Sequence, residues 1–200
     1  FGELDEAQEG CEKLLQICPS DFAIYGAICA LFARVLLERN EKERAAVLVE
    51  RSLKRTSYYR HIDMYLEAKI AQAGCLAARG NLSEAYESIV EGILHGEQKD
   101  VPRAVLLHAY FTQAEIAARR CNLRDLLVIE RKFAARVHEE DVYCQVLLSF
   151  VHALAEREKG NVEAALETLG SLAARAREGR FVCVVVKALA VQAVVLHALG

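Results

Sequence analysis

Cys144 and His152 are the two side chains whose types and spacing come nearest to catalytic chemistry. They lie eight residues apart in a helical stretch, so they can share one face of a helix, where a histidine base could activate a cysteine nucleophile. Such catalysis also needs an orienting group and an oxyanion hole, for which the sequence offers no loop. The acidic run 139–141 is explained by a helix start, where the macrodipole favours negative charge. We therefore predict that the chain is not an enzyme.

The cysteines offer a second chemistry, metal binding. Seven are present, an odd number, and none falls in a C-x-x-C or C-x-x-H cluster that could hold tetrahedral zinc. Most occupy apolar positions of helical stretches, which is typical of reduced core thiols in a cytosolic protein. We predict no metal, no cofactor, and cysteines that are reduced and mostly buried. They are Cys11, Cys18, Cys29, Cys75, Cys121, Cys144 and Cys183.

The composition predicts a folded, all-helical chain. Of 200 residues, 54% are hydrophobic and 26% are charged, and only Pro19 and Pro102 interrupt stretches rich in Ala, Leu, Glu and Arg. A net charge of −3 and a pI near 6.1 give no general attraction to nucleic acid or anionic membranes. Polar side chains interrupt the most apolar segment, 181–200, which favours a buried helix over a membrane span. We expect a soluble, cytoplasmic protein, since no basic region precedes an apolar stretch at the start.

A turn pattern recurs with a period of 38 to 41 residues. In "RGNLSEAYES" and "KGNVEAALET" a turn residue, which we call the anchor, stands five positions before a small or apolar residue. The anchors are Gly2, Asn40, Gly80, Cys121 and Gly160, and the residues five positions on are Ala7, Ala45, Ala85, Leu126 and Ala165. Seven positions before each later anchor, counting Gly200 as the last, stand Ala33, Ala73, Ala114, Ala153 and Ala193. The Asn40 anchor leaves an alternative open, because Arg39-Asn40 also matches Gly80-Asn81.

This pattern predicts a helix, a turn at the anchor, and a second helix packed antiparallel on the first. Alanine at both contact columns lets the two backbones approach closely. Gly80 and Gly160 can end a helix in the left-handed conformation. Asn81, Asn122 and Asn161 can cap the next helix, and Asn40 with Glu43 and Asn81 with Glu84 have capping-box spacing.

The predicted fold is a single all-α domain over residues 1–200. Its ten helices form about five antiparallel pairs, offset by half a repeat, stacked as a right-handed α-solenoid with one concave and one convex surface. The predicted helices are 4–17, 21–38, 41–55, 58–79, 82–96, 102–119, 122–137, 140–159, 161–177 and 181–199.

The G-x-[LV]-x-x-A turn, the alanine seven residues before it, and Pro19 closing the first copy resemble tetratricopeptide repeats (TPR). That family's usual period is shorter. Longer TPR-like helices resemble the repeat domain of MalT-type bacterial regulators, the large ATP-dependent LuxR-family activators. The stretch "LAARAREGRFVCVVVKALAVQAVVLHALG" is similar to that domain in its Gly-Arg turn and in Gln192-Ala193 within an apolar helix ending in Leu-Gly.

In that family the repeats lie between an N-terminal signal-transduction ATPase and a C-terminal helix-turn-helix. This sequence has no G-x-x-x-x-G-K-[ST] motif and no basic recognition helix. The resemblance therefore implies a fragment of a longer transcriptional regulator. We expect this segment to make no nucleic-acid contact, and DNA binding to belong to the missing C-terminal domain.

Polar residues on the predicted first helices are the candidate contacts for a ligand or a protein partner. Gln72 and Gln113 belong to a mostly polar column one position before the alanines, with Phe32, His152 and Gln192 as its other members. The candidate charged groove residues are Arg34, Glu67, His108, Glu115 and Arg119. The alternatives are half-buried amides bonded to neighbouring helices and an ordinary solvated helix face. Tyr58, Tyr59, His61 and Tyr65 are candidates for an aromatic contact patch, although packing of a long first helix would explain them equally well.

Two functions follow as hypotheses. The first is an effector- or protein-binding sensor and coupling domain of a LuxR-family transcriptional regulator, as the MalT-type resemblance implies. The second is a general TPR scaffold or adaptor, which mediates protein–protein interaction by holding a peptide or protein in its concave groove.

Overall fold

A computed structural model describes residues 2–56, 61–99 and 101–198. These residues form ten helices and no strand, so the all-α prediction is confirmed. The helices are α1 (Gly2–Ile17), α2 (Ala23–Glu38), α3 (Lys42–Thr56), α4 (Ile62–Ala78), α5 (Leu82–Gln98), α6 (Arg103–Arg119), α7 (Leu123–Ala134), α8 (Val142–Glu158), α9 (Val162–Glu178) and α10 (Val182–His197).

The helix bounds differ from the predicted ones by a few residues at most ends. The largest differences are at α4, which begins at Ile62 rather than 58, and at α7, which ends at Ala134 rather than 137. The predicted start at 58, the candidates Tyr58 and Tyr59, and the anchor Gly200 lie outside the described residues. Tyr65, the third tyrosine of the aromatic patch, is buried.

The chain divides into two compact units, Phe1–Thr112 and Gln113–Gly200, with the division inside α6. In the first unit α1 packs on α2, α2 on α3 and α4, and α4 on α3 and α5. In the second unit α8 packs on α7 and α9, and α10 packs on α9 and touches α8. That residues 1–200 form one domain stays a prediction.

Five helices end in the same left-handed turn. After α4, Gly80 has φ +88°, the Gly80 N–H donates to the Ala77 carbonyl at 3.0 Å, and the Asn81 N–H donates to the Leu76 carbonyl at 3.0 Å. This pair of backbone hydrogen bonds is a Schellman motif. The left-handed residues of the five turns are Asn40, Gly80, Cys121, Gly160 and Arg180. Asn40 is therefore equivalent to Gly80 rather than to Asn81, which decides the register left open by the sequence.

The asparagines after these turns cap less well than predicted. Asn122 accepts a hydrogen bond from the Asp125 N–H at 3.1 Å. Asn81 and Asn161 hold the N-cap position without a side-chain cap bond, and Asn161 instead donates to Glu156. The Asn40–Glu43 capping box is wrong, because Asn40 adopts φ 60° to close α2 and so cannot cap α3.

Small residues hold paired helices close together. The two alanine columns are fully buried in both units at Ala33, Ala73, Ala114, Ala153, Ala45, Ala85 and Ala165. Glycine goes further between α4 and α5, where a Cβ added at Gly92 would lie 2.8 Å from the Cβ of Lys69. A larger side chain at such a position would push the two backbones apart.

Two alanines of the predicted columns are exceptions, and the first, Ala7, is exposed on α1. The second exception is Ala193. It is exposed on α10, which packs on α9 and touches α8. In the described part of the chain no helix covers this side of α10, and Val186 and Val194 beside it are also exposed. Ala193 therefore makes no helix-packing contact here, which corrects its predicted role.

The cysteines are less buried than predicted. Cys29, Cys75 and Cys144 are buried, Cys11 and Cys18 are partly buried, and Cys121 and Cys183 are exposed. Cys121 is exposed because it is the left-handed residue of a turn. Burial raises the pKa of Cys75 to about 11, so its thiol stays protonated at neutral pH and is a poor nucleophile.

Within the described ranges no helix is both long and apolar enough to cross a membrane.

Enlarging a buried column alanine should destabilise the chain. We expect Ala153→Leu and Ala165→Leu each to lower the free energy of unfolding by about 1–3 kcal/mol through overpacking. Ala193→Leu is the matched control, because the same column is exposed there, and should change it by less than about 0.5 kcal/mol. Urea denaturation measures all three. Equal midpoints for Ala153→Leu and Ala193→Leu would contradict the packing.

Two glycines ten residues apart should respond to alanine with opposite signs. Gly160→Ala should destabilise by about 1 kcal/mol, because its φ of +84° strains any residue with a Cβ. Gly170→Ala should stabilise by roughly 0.5–1 kcal/mol, because Gly170 lies within α9 and its added Cβ would meet only Gln192, at 3.7 Å. Thermal unfolding of both variants tests the turn, and a stabilising Gly160→Ala would show that the left-handed assignment is wrong.

Candidate functional site

In the first unit, three predicted groove residues from three helices meet at one cluster. Arg34 of α2 donates through Nη1 to Glu67 Oε2 of α4 at 2.8 Å. Its Nη2 lies 2.8 Å from Nε2 and 3.1 Å from Nδ1 of His108 on α6. A guanidinium can only donate, so the imidazole accepts this hydrogen bond in its neutral form. We call Arg34, Glu67 and His108 the first tie.

In the second unit, the predicted groove residue Glu115 forms a similar contact. Lys187 Nζ of α10 lies 2.8 Å from Oε1 and 3.0 Å from Oε2 of Glu115 on α6. The side chains of Glu115 and Lys187 are 28% and 29% exposed, so the pair is only partly screened by solvent. Lys187 is one of the polar side chains that interrupt the apolar segment 181–200, and it was not among the predicted groove residues. We call this pair the second tie.

The two ties occupy the same positions relative to the alanine column. Arg34 directly follows Ala33, and Glu115 directly follows Ala114. His108 stands six residues before Ala114, and Lys187 stands six residues before Ala193. Each tie thus links one even-numbered helix to the helix four places on along the chain, α2 to α6 and α6 to α10. The intervening α4 supplies Glu67, whereas α8 supplies the buried Leu147 at the same position. One register therefore explains both contacts.

The remaining predicted groove residues are not members of either tie. Gln72 is partly buried and accepts a hydrogen bond from Ser88 Oγ of α5 at 2.7 Å. Gln113 is buried on α6, and Arg119 is exposed at the C-terminal end of that helix. Gln192 donates to the Leu166 carbonyl of α9 at 3.5 Å. Gln72 and Gln192 thus bond to the neighbouring helix, as the structural alternative expected.

Cys144 and His152 each contact another residue. His152 Nδ1 lies 2.6 Å from Glu130 Oε1 of α7, and the imidazole is 46% exposed. Cys144 is buried near the start of α8, where the Cys144 N–H donates to Asp141 Oδ1 at 3.0 Å. In the part of the chain that the structure describes, no three His, Cys, Asp or Glu side chains are grouped so that they could hold a metal ion.

Sequence reasoning missed a second charged cluster, between α4 and α5. Lys69 Nζ donates to Glu91 Oε2 at 2.8 Å, and Tyr65 Oη donates to Glu91 Oε1 at 2.6 Å. His95 packs edge-on against Tyr65, with ring centroids 5.9 Å apart. Lys69 is only 9% exposed, which is unusual for lysine. The sequence signal for this cluster was the four-residue spacing of Tyr65 and Lys69, which places both on one face of α4. Hydrogen bonds from Lys69 and then Tyr65 hold the pKa of the Glu91 carboxyl below its usual range.

Comparisons of the chain with protein-family models, with curated proteins and with solved structures found no match.

Removing the Glu91 charge should cost stability that depends on pH. We expect Glu91→Gln to lower the free energy of unfolding by about 1 kcal/mol at neutral pH, because Lys69 loses an ionic partner that is itself half exposed to solvent. The folded-state pKa of Glu91 is depressed, so this stabilisation is present above the usual carboxyl pKa of about 4.3 and is lost as the pH falls through the folded value.

Denaturation of both proteins between about pH 7 and pH 3 measures this difference. It should shrink on acidification, and it should be small at every pH when both proteins also carry Lys69→Met. A difference that stays constant down to pH 3 would show that the carboxylate does not sustain the cluster.

Proposed function

We propose that the chain is a TPR-like binding domain, a right-handed α-solenoid with repeats of 38 to 41 residues whose inner face binds an effector or a protein. The left-handed turns at Asn40, Gly80, Cys121 and Gly160 support this proposal, because they recur after 40, 41 and 39 residues. The bounds of α4 and α5 recur 80 residues later in α8 and α9. Equal bounds at a fixed offset are expected of copies of one unit.

The ties carry the proposal that even-numbered helices line the inner face. Neighbouring packed helices lie about 8–10 Å apart, so alternate helices of a straight row would be roughly 16–20 Å apart. Arg34 of α2 nevertheless reaches His108 of α6 at 2.8 Å within the first unit. Such contact across an intervening helix favours a curved row with the tied side chains on its concave side. The second tie supports the same curvature within the second unit.

Binding at the inner face would change the ties, and this gives the domain a route to transmit a signal. A partner carboxylate can compete with Glu67 for Arg34, since bidentate pairing with guanidinium suits any carboxylate. Losing a tie releases a constraint on the curvature of that unit. A ligand that prefers the released form shifts the population toward it. We therefore propose that the domain is the sensor and coupling part of a LuxR-family, MalT-type regulator, acting in the cytoplasm.

A gene deletion tests this proposal. Deletion should change the transcript levels of a limited set of genes, and the unaltered gene should restore them. With a gene carrying Arg34→Met, the transcript levels should differ by roughly fivefold or more from those restored by the unaltered gene. Fivefold is the lower end of typical allosteric coupling. Arg51→Met is the matched control, since Arg51 is exposed on α3 away from the tie, and it should restore the levels fully.

Two outcomes would contradict the proposal. Unchanged transcripts after deletion would reject the regulatory role and favour the general scaffold. Full restoration by Arg34→Met would reject the inner face as the binding surface. Unfolding of the purified 200-residue chain should accompany the genetics, to show that Arg34→Met still folds.

A further inference from the structure

A hollow of about 260 Å³ lies on the second unit between α8 and α9. Its wall is a stripe of α9 residues at helical spacing, with one residue of α8 opposite. The residues that line it are Ser149, Glu167, Thr168, Ser171, Leu172 and Arg175. Leu172 is 1% exposed and forms an apolar floor, while the other five are polar. Neither member of the second tie lines this hollow.

The equivalent place between α4 and α5 is filled by the protein itself. With the 80-residue offset, Ser149 corresponds to Lys69 and Ser171 to Glu91, the ion pair of the charged cluster. Arg175 corresponds to His95, which packs on Tyr65 in that cluster. Replacing a lysine and a glutamate by two serines removes both the bulk and the charges that close the space. The hollow between α8 and α9 is thus equivalent to the space between α4 and α5, but it lacks the ion pair that lies there.

The charged groups of the hollow have no internal partner. The side chains of Arg175 and Glu167 are exposed and make no ion pair or hydrogen bond with any residue in the described ranges. The same absence of a hydrogen bond holds there for the hydroxyls of Thr168 and Ser171. The Ser149 hydroxyl donates to the Gln145 carbonyl at 2.9 Å, which leaves its oxygen able to accept. One cation, one anion and three hydroxyls therefore line a space smaller than most drug-sized pockets.

We propose that this hollow binds a small zwitterion, a molecule with one carboxylate and one ammonium group. Arg175 binds the carboxylate, because its planar fork matches carboxylate geometry. Glu167 binds the ammonium group, and the hydroxyls of Ser149, Thr168 and Ser171 complete the hydrogen bonds. Glu167 and Arg175 are eight residues apart, about 12 Å along the helix axis, so their side chains must converge on a ligand between them. A small zwitterion thus takes the place that the Lys69–Glu91 pair takes in the first unit.

Ligand-observed NMR on the full 200-residue chain tests this with defined probes. The zwitterions are glycine, 4-aminobutyrate and 6-aminohexanoate, which separate the two charges by increasing lengths, and the single-charge analogues are butyrate and butylamine. At least one zwitterion should bind about tenfold more tightly than either analogue, because two charge-assisted contacts are made instead of one. No binding by any zwitterion at millimolar concentration would overturn the proposal, as would equal binding by the analogues.

Variants then locate the site. Arg175→Met and Glu167→Gln should each weaken binding of the best zwitterion about tenfold or more, whereas Arg177→Met, an exposed arginine outside the lining, should not. Rebuilding the ion pair with Ser149→Lys and Ser171→Glu together should fill the hollow and abolish binding. If that double variant does not fold, the single variants still decide. Undiminished binding by Arg175→Met would show that the zwitterion binds elsewhere.

Discussion

Close approach of paired helices is the constraint on which the other features depend. Ala33 with Ala45, and Ala73 with Ala85, are fully buried where their helices pair, and Gly92 leaves no room for a Cβ beside Lys69. Short separations fix the rotation of each helix about its axis, because only the side with small residues can face the partner. Once that rotation is fixed, the residue after each alanine must point in one defined direction. Arg34 and Glu115 occupy this position, so the same packing that buries the alanines presents the ties.

The positions of the left-handed turns could be predicted from the sequence better than the residues and hydrogen bonds that form them. The anchors Gly80 and Gly160 announce a left-handed turn, because glycine has no Cβ to strain there. Cys121 takes the same conformation without such a signal, held by the Asn122 N–H bond to the Ala117 carbonyl at 3.0 Å. Tertiary packing of the flanking helices over-determines that turn and tolerates the local strain. Sequence alone also could not decide whether Asn40 closes α2 or opens α3, since asparagine suits both roles.

The sequence predicted which helix positions belong to the candidate site, but not which of their side chains contact one another. Helical periodicity places Arg34, Glu67 and His108 on similar faces, and the structure brings these three together. Their meeting depends on how α2, α4 and α6 are placed relative to one another within the first unit, which no single helix pattern encodes. Gln72 shows the opposite outcome, because a nearby Ser88 supplies its hydrogen bond and removes it from the cluster. Burial of Lys69 could not be predicted either, since it needs the space that Gly92 leaves across the pair.

The helix pairs α4–α5 and α8–α9 have the same lengths and different side chains between their helices. The buried alanines recur in both pairs, at Ala73 and Ala85 and at Ala153 and Ala165, whereas the residues beside them differ. A charge buried beside them needs a partner. Lys69 and Glu91 satisfy each other, so their space is closed and contributes to stability. Ser149 and Ser171 carry no charge that could pair with Arg175, which is exposed and lines the open hollow. The proposed zwitterion site thus lies where the second helix pair lacks the ion pair that the first helix pair has.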